Sequence, residues 1–357
     1  HGHFPPLVVP VRALASLRTE DDHRVTFALE LADASGRLAL NAEGHHDMTR
    51  GSGELRGQLK RLTFLPTVLE PSRLFPVLAG KFEEVDGAVD ATGRISWDGG
   101  EPVSSLDLLV EVKRLTTGEI TVENANTIVH FDSLFPPTTP PGQEILVGLI
   151  DVGVPMTRGR LLFQLRGDGS VEVELDELLL FGGSIGSEPF RLSPTDPNFA
   201  VDLEVSGVQL ARILKLAEYG DFSATGLLDG TIPVVVENGE VAIRGGVLET
   251  RAGGGTLSYH PKEVGSALTE VDASTALFLD AIENFQYDTI RVSLDEGEAE
   301  ELVLGLSLKG RNPDVYGGVP FALNVTITGP LDAILSRGLA TYTLPERIRE
   351  RILEFGD

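Results

Sequence analysis

Histidines and carboxylates are the residues best suited to acid–base or metal chemistry in this sequence, which has seven histidines, 54 acidic residues and no cysteine. His45–Asp47 is a cluster, but it lacks the HExxH spacing of a zinc site, and we expect it to lie in a solvated loop. Glu172 and Glu174 alternate with apolar residues, which is typical of a solvated strand face. The sequence has no GxSxG motif and no P-loop, and Gly253–Gly255 is not followed at once by a phosphate-binding helix. We therefore predict no enzyme activity, no metal site and no cofactor.

The formal net charge of −25 argues against nucleic acid and anionic bilayer surfaces as electrostatic partners, since like charges repel. No run approaches the ~20 apolar residues that a membrane-spanning helix needs. The N-terminus does not look like a signal peptide. The chain begins abruptly at His1, so we expect a fragment whose targeting or anchoring segment lies outside this sequence.

The clearest structural signal lies in the stretch Phe222–Tyr259. Asn238 and Gly239 separate two extended runs, and Asn-Gly favours a tight hairpin because both residues tolerate positive φ. Glycines then break the chain before each of two further extended runs. We predict four strands here, at Thr231–Glu237, Glu240–Ile243, Val247–Arg251 and Thr256–Tyr259.

Alternation of apolar and polar residues, which indicates a sheet with one apolar face, recurs along the chain and predicts roughly twenty short strands. Apolar residues at helical spacing predict helices at Val208–Tyr219 and about Thr275–Gln286. Pro345 suits the first turn of a third helix at Thr343–Phe355. The proline-rich segment Phe135–Gly142 cannot be a central strand, because proline donates no ladder hydrogen bond. The predicted fold is therefore mainly β with a few short helices. A long sheet rolled about its own axis fits the number of strands, and so does a sandwich of two facing sheets.

The single-faced strands leave two interpretations open: their apolar residues either form the dry core of a sandwich or line a groove that holds an apolar ligand. A closed structural or adhesive β protein is the main alternative to the groove. A β-helical enzyme that acts on polysaccharide is disfavoured by an aromatic content of 6%. The candidate groove residues on the best alternating strands are Leu106, Leu108, Val110, Leu161, Phe163, Leu203, Val205, Val234, Val236, Leu304, Leu306, Leu323 and Val325.

The region from about Ser133 to Pro330 resembles the C-terminal region of YdbH-type proteins, in the AsmA-like group of bridge-like lipid transporters. An older description of this region as a dicarboxylate transport domain is set aside, because the sequence has no basic cluster suited to a dicarboxylate. The matching stretches, in chain order, are Leu134–Gln143, Asp151–Pro155, Phe181–Gly183, Leu210–Leu216, Ala224–Pro233, Gly254–Tyr259, Ala276–Phe285 and Gly310–Pro313.

This resemblance implies an elongated, curled antiparallel sheet, trough-shaped like a β-taco. Its apolar interior is expected to carry phospholipid across the periplasm, between the inner and outer membranes of a Gram-negative bacterium. It implies an N-terminal inner-membrane anchor that this sequence lacks. It also implies a small YnbE-like outer-membrane lipoprotein as partner, added as a strand near the C-terminal end. We divide the chain into a first part of the sheet (1–132), the YdbH-like trough (133–330) and a C-terminal helical segment (331–357).

Overall fold

The computed structural model describes residues 8–20, 23–118, 120–216, 222–237, 240–259, 281–296 and 301–330. Backbone hydrogen bonds join 21 strands into one antiparallel sheet, and two further strands form a separate ladder. The predicted mainly β, antiparallel architecture with few short helices is therefore confirmed. The chain forms two compact units, His1–Glu177 with Pro189–Asp196, and Leu178–Glu188 with Pro197–Asp357.

In chain order, the strands are β1 (Val11–Thr19), β2 (Arg24–Asp33), β3 (Ala39–Asp47), β4 (Ser52–Phe64), β5 (Glu84–Asp98), β6 (Val103–Thr117), β7 (Ile120–Phe131), β8 (Ser133–Leu134), β9 (Pro137–Thr138), β10 (Gln143–Asp151), β11 (Pro155–Leu165), β12 (Val171–Leu180), β13 (Gly183–Ser187), β14 (Phe190–Leu192), β15 (Phe199–Gln209), β16 (Phe222–Ala224), β17 (Leu227–Glu237), β18 (Glu240–Ile243), β19 (Gly246–Thr250), β20 (Gly255–Tyr259), β21 (Phe285–Glu296), β22 (Glu301–Arg311) and β23 (Phe321–Pro330). The helical elements of the described residues are α1 (Leu210–Leu216), 3₁₀ turns at Pro71–Arg73, Pro76–Leu78 and Tyr316–Gly318, and a turn at 281–283.

In the first unit, β1 to β7 pair in chain order, and β10 pairs with both β7 and β11. Consecutive strands pair because short connections bring sequence neighbours together first. The turn from β11 to β12 is closed by the Arg166 N–H, which donates to the Ser170 carbonyl at 2.9 Å. β9, inside the proline-rich segment Phe135–Gly142, pairs in the separate ladder with β8, which lies just before that segment. The prediction that this segment is not a central strand is therefore confirmed.

In the second unit, β17 pairs with β15 along one edge and with β18 and β19 along the other. The ladder continues from β19 through β21 and β22 to β23, and β16 pairs with β20, which also pairs with β21. Glu237 lies opposite Glu240, as the hairpin prediction requires, although residues 238–239 lie outside the described residues. All four strands predicted here are present. β17 begins earlier than predicted, at Leu227, because its first half pairs with β19.

The helix predictions are correct only in part. α1 lies inside the predicted range Val208–Tyr219. The helix predicted at about Thr275–Gln286 is wrong at its C-terminal end, where residues 281–283 are helical and β21 begins at Phe285. Phe285 is fully buried and lies opposite Leu257 of β20, so strand pairing overrides the helical spacing. The start of that helix and the third predicted helix, Thr343–Phe355, lie outside the described residues.

A compact apolar cluster covers the end of the β4–β5 pair. The segment that connects these strands, residues 65–83, folds back over them, and the Val9 N–H donates to the Leu74 carbonyl at 2.9 Å. We call the buried group the Leu62 cluster: Leu62, Phe64, Leu69, Leu74 and Val85. It gives the first unit a dry core at one strand end.

We expect Leu62→Ala to lower the free energy of unfolding of the first unit by about 2–5 kcal/mol, because it leaves a cavity in this cluster. Leu14→Ala is the matched control, because Leu14 in β1 is 60% exposed, and it should change that free energy by less than about 0.5 kcal/mol. Urea unfolding followed through the fluorescence of the single tryptophan, Trp97, measures both effects. Equal losses in the two variants would contradict the assigned core.

Candidate functional site

Cross-strand register places the predicted groove residues of the first unit on one face of the sheet. Residues directly opposite each other in an antiparallel pair share a face. Val110 of β6 lies opposite Thr127 of β7, which lies opposite Ile145 of β10. Ile145 in turn lies opposite Leu161 of β11. The residues brought onto this face are Leu106, Leu108, Val110, Leu161 and Phe163.

The same reasoning places the remaining eight candidates on one face of the second unit. Val205 of β15 lies opposite Gly230, and Gly230 lies opposite Leu248 of β19. Leu248 lies opposite Val292, and Val292 lies opposite Leu306 of β22. The eight residues are Leu203, Val205, Val234, Val236, Leu304, Leu306, Leu323 and Val325. In each unit we call the face that carries the candidates the apolar face.

Most candidate side chains on the apolar face are only half-buried. Eleven of the thirteen have intermediate exposure, Val205 is buried, and the side chain of Val325 is not among those described. Other parts of the same face are dry: in the second unit Phe285 is 0% and Ile290 1% exposed, and Phe285 packs against Phe321 with ring centroids 5.2 Å apart. The apolar face therefore combines closed patches with positions that remain partly accessible.

The opposite face carries ion pairs between neighbouring strands. Arg61 of β4 pairs with Asp90 of β5 at 2.7 Å and with Glu111 of β6. In the second unit Arg291 of β21 pairs with Glu249 of β19 at 2.6 Å. Exposed pairs of this kind stabilise a fold by only about 0–1 kcal/mol each. Their main consequence is that this polar face stays hydrated.

The polar face of the first unit also has a shallow hollow of about 580 Å³ over β3 to β6. Its lining mixes carboxylates, guanidinium groups and amides, which suit water rather than an acyl chain. The lining residues are Asn41, Glu43, Arg56, Gly57, Gln58, Thr92, Gly93, Arg94, Ser105 and Asp107. Among the described residues, no group of three or more histidines and carboxylates could hold a metal ion.

The prediction that His45–Asp47 lies in a solvated loop is wrong. The three residues end strand β3, because each lies opposite a residue of β4 in the antiparallel ladder. Successive side chains of a strand alternate between faces, so His45 and His46 lie on opposite faces of the sheet. Asp47 accepts the backbone N–H groups of Thr49 (2.8 Å) and Arg50 (2.9 Å) and so orders the following turn. These hydrogen bonds lower the pKa of the Asp47 carboxyl.

Three rings meet over two glycines on the apolar face of the first unit. Phe27 lies opposite Gly44 in the register, and Gly53 lies between His46 and Trp97. The Trp97 indole N–H donates to Nδ1 of His46 at 3.0 Å. The ring centroid of Trp97 lies 6.0 Å from that of His46 and 6.5 Å from that of Phe27. We call Phe27, His46 and Trp97 the aromatic bridge.

The aromatic bridge was missed from the sequence because it depends on register. Phe27 and Trp97 belong to strands separated by two others, about 14 Å at the usual strand spacing. The rings meet because glycine leaves the intervening positions free. A Cβ at Gly53 would lie 2.4 Å from Cζ2 of Trp97, and one at Gly44 would lie 2.5 Å from Cζ of Phe27. The sequence signals the aromatic bridge only through the two glycines, Gly44 and Gly53, that interrupt alternating runs.

A similar arrangement occurs in the second unit at Tyr287. Its hydroxyl donates to the carbonyl of Thr225, and a Cβ at Gly226 or Gly255 would collide with that hydroxyl. Tyr287 is 2% exposed, and burial raises the pKa of its phenol. The tyrosine is therefore a closed, dry part of the apolar face.

Each of the two units presents an apolar face on one side of its strands and a hydrated, charged face on the other. The chain matches the family described as YdbH-like, intermembrane phospholipid transport protein YdbH, over residues 5–353, and so belongs to that family. The resemblance seen in the sequence is confirmed, and the match extends into the first 130 residues. No curated protein and no solved structure matches the chain.

Membership of this family gives the chain its general role. It takes part in phospholipid transport between membranes, a transport function rather than that of a known enzyme family. This role is consistent with phospholipid as the cargo. It also suggests that the protein is located between two membranes. Among the described residues, no helix has the length and apolar character needed to cross a bilayer.

We expect Gly53→Ala to disturb the aromatic bridge, because the new Cβ would lie 2.4 Å from both Trp97 and the backbone oxygen of His45. Overpacking of this kind costs about 1–3 kcal/mol. Gly57→Ala is the matched control on the same face of β4, since its Cβ would lie 3.8 Å from Cβ of Ala42. It should be neutral or stabilise by up to about 1 kcal/mol. Urea unfolding measures the stability of both variants, and the emission maximum of Trp97 reports the surroundings of its ring. An unchanged emission maximum in Gly53→Ala would contradict the stacked geometry.

Asp229 gives a pH-dependent prediction for the second unit. It accepts two hydrogen bonds from the Arg251 guanidinium (2.6 and 2.8 Å) and one from the Gly207 N–H (2.7 Å). The hydrogen bond from Arg251, its largest lowering influence, holds the pKa of Asp229 below its usual value. A carboxyl with a lowered pKa stabilises the folded state above its unfolded pKa of about 3.9, and this contribution is lost as the pH falls through the folded pKa.

Asp229→Asn should therefore lower the stability at neutral pH, and the difference from the unmodified chain should disappear in strong acid. Asp202→Asn, at an exposed position of β15, is the control and should leave the stability nearly unchanged at every pH. Urea unfolding over a pH series measures both variants. A difference for Asp229→Asn that persists in strong acid would show that the charge is not its cause.

Proposed function

We propose that the apolar face binds the acyl chains of phospholipids and conducts them across the periplasm between the inner and outer membranes. The observation that supports this proposal is that aliphatic side chains from several strands share one face in each unit, most of them with intermediate exposure. Membership of an intermembrane phospholipid transport family supports the choice of ligand. The proposed acyl-chain contacts are the thirteen candidate residues.

The energetics of acyl chains suit such a surface. Removing a methylene group from water contributes about 0.8 kcal/mol wherever the surface is apolar, so no deep or specific pocket is required. The headgroup can stay in water at the strand ends, and no cationic pocket is then needed. Rows of similar side chains offer similar burial at successive positions, so lipids can slide passively. Any energy source must come from another protein.

The ends of the sheet suggest how the chain is placed between membranes. Among the described residues, β23 pairs with β22 along one edge only. An edge strand presents unpaired N–H and C=O groups to which another strand can add. We propose that a small outer-membrane lipoprotein adds a strand near this C-terminal end. At the other end we propose an N-terminal segment that anchors the full-length protein in the inner membrane.

Native mass spectrometry with lipid extraction tests the binding proposal, on protein purified from a Gram-negative host without detergent. Leu306→Asp puts a carboxylate on the apolar face, opposite Val292 and Val325. A charge there is poorly compatible with an acyl chain, so we expect fewer phospholipids bound per chain. Ser307→Asp, on the opposite face of the same strand, is the matched control and should retain them.

Circular dichroism must show the same fold in both variants. Equal lipid content in both would argue against the apolar face as the binding surface. A lipid-free mass for the unmodified protein, together with no uptake of added fluorescent phospholipid, would indicate a closed apolar face and a structural role instead.

A further inference from the structure

The aromatic bridge lies where the apolar face of the first unit meets water. His46 and Gly53 form the pair next to the end of the β3–β4 ladder, because Asp47 and Ser52 are the last pair before the turn. Trp97 is one residue from the end of β5. All three members of the bridge are half-buried.

Beyond the aromatic bridge the strands lead into turns that are ordered by hydrogen bonds, although Met48 in the turn after β3 is itself 64% exposed. The Met48 N–H donates to the His23 carbonyl at 2.7 Å, and Nδ1 of His23 lies 3.1 Å from Oγ1 of Thr49. These contacts tie the turn before β2 to the turn after β3. Within a few residues along a strand, the apolar face therefore gives way to a hydrogen-bonded rim in which Thr49 and Arg50 follow Met48.

The chemistry of the aromatic bridge suits such a boundary. Tryptophan combines a large apolar ring with one N–H donor, and for this reason it concentrates at the headgroup level of membranes. Here that donor is held by His46, whose Nδ1 must be unprotonated to accept it. The proton of the neutral imidazole is then on Nε2, which can donate to an oxygen of a ligand.

The other ends of the same strands offer no comparable boundary. At the far end of β4 and the start of β5, the Leu62 cluster and the segment 65–83 cover the apolar face. Leu62 is 2% and Leu74 3% exposed. Among the described residues of β3 to β5, the rim with the aromatic bridge is the strand end where the apolar face stays uncovered, so a phospholipid aligned with these strands can place its polar end there.

We propose that the aromatic bridge sets the headgroup level of bound phospholipid in the first unit, with Trp97 beside the glycerol and ester groups and the acyl chains directed away from it. This inference rests on the proposed function, since it assumes that the apolar face holds acyl chains. It adds a direction to the bound lipid and assigns Trp97 and His46 as positioning residues for its polar end.

The single tryptophan makes the test direct. The unmodified protein is loaded with phosphatidylcholine, which has no net charge and carries a nitroxide either near the carboxyl end or near the methyl end of one acyl chain. We expect the carboxyl-end probe to quench Trp97 about twofold more strongly, because tryptophan at the headgroup level lies nearer to the carboxyl end of an acyl chain than to its methyl end. Equal quenching, or stronger quenching by the methyl-end probe, would overturn the placement.

A depth control moves the tryptophan along the same face. Leu108→Trp in a Trp97→Phe background places the indole opposite Ala91 and Val129, away from the rim. In this variant the preference should be lost or reversed, and an unchanged preference would also overturn the placement. Native mass spectrometry measures lipid loading separately. Loaded lipid with the wrong quenching order refutes only the headgroup level, whereas absence of loading refutes the proposed function and this inference together.

Discussion

The antiparallel register is the constraint on which the rest of this structure depends. Side chains alternate with a period of two, so a slip of one residue would move a whole strand's aliphatic residues to the charged face. The ladder stays in phase through β1 to β7, β10 and β11 in the first unit, and from β15 to β23 in the second, despite irregularities such as those at Leu59/Leu62 and Tyr287/Thr289. Each irregularity is absorbed locally, and the apolar residues on both sides of it remain on one face. The apolar face is therefore a consequence of backbone hydrogen bonding as much as of composition.

Glycine and aromatic residues adapt this regular ladder at particular places. Gly53 leaves room for Trp97 in the first unit, and Gly255 leaves room for Tyr287 in the second. In both cases one large ring covers backbone that a smaller side chain would leave open to water, and its polar atom has a hydrogen-bond acceptor. The two sites differ in exposure, since Tyr287 is buried and Trp97 half-buried. A ring packed over glycine is thus part of the dry region of the apolar face in the second unit, whereas in the first unit it lies at the border of that face.

Much of the fold could be predicted from local pattern, because strand alternation and turn glycines are properties of short segments. The strands around Glu237 and Glu240 were predicted for this reason, and so was the set of residues that share a face within each strand. The register between strands is not local, so the aromatic bridge was missed. The Thr275–Gln286 helix was extended too far because Phe285 fits helical spacing as well as a strand, and only its pairing with Leu257 decides. The prediction of a loop at His45–Asp47 was wrong because polar residues can also form a strand, and here their backbone pairs with β4.

An exposed apolar face needs protection from association with copies of itself, and the charge of the chain supplies part of it. With a net charge of −25, two copies repel each other at separations up to a Debye length of about 8 Å at physiological ionic strength. Arg12 and Arg18 on β1 discourage symmetric pairing of that edge, since antiparallel pairing about Ala15 would place like charges opposite each other. A phospholipid with little net charge meets much less repulsion and still gains from burial of its methylene groups. The strong acidity of the chain is therefore compatible with a lipid ligand and opposes the competing self-association.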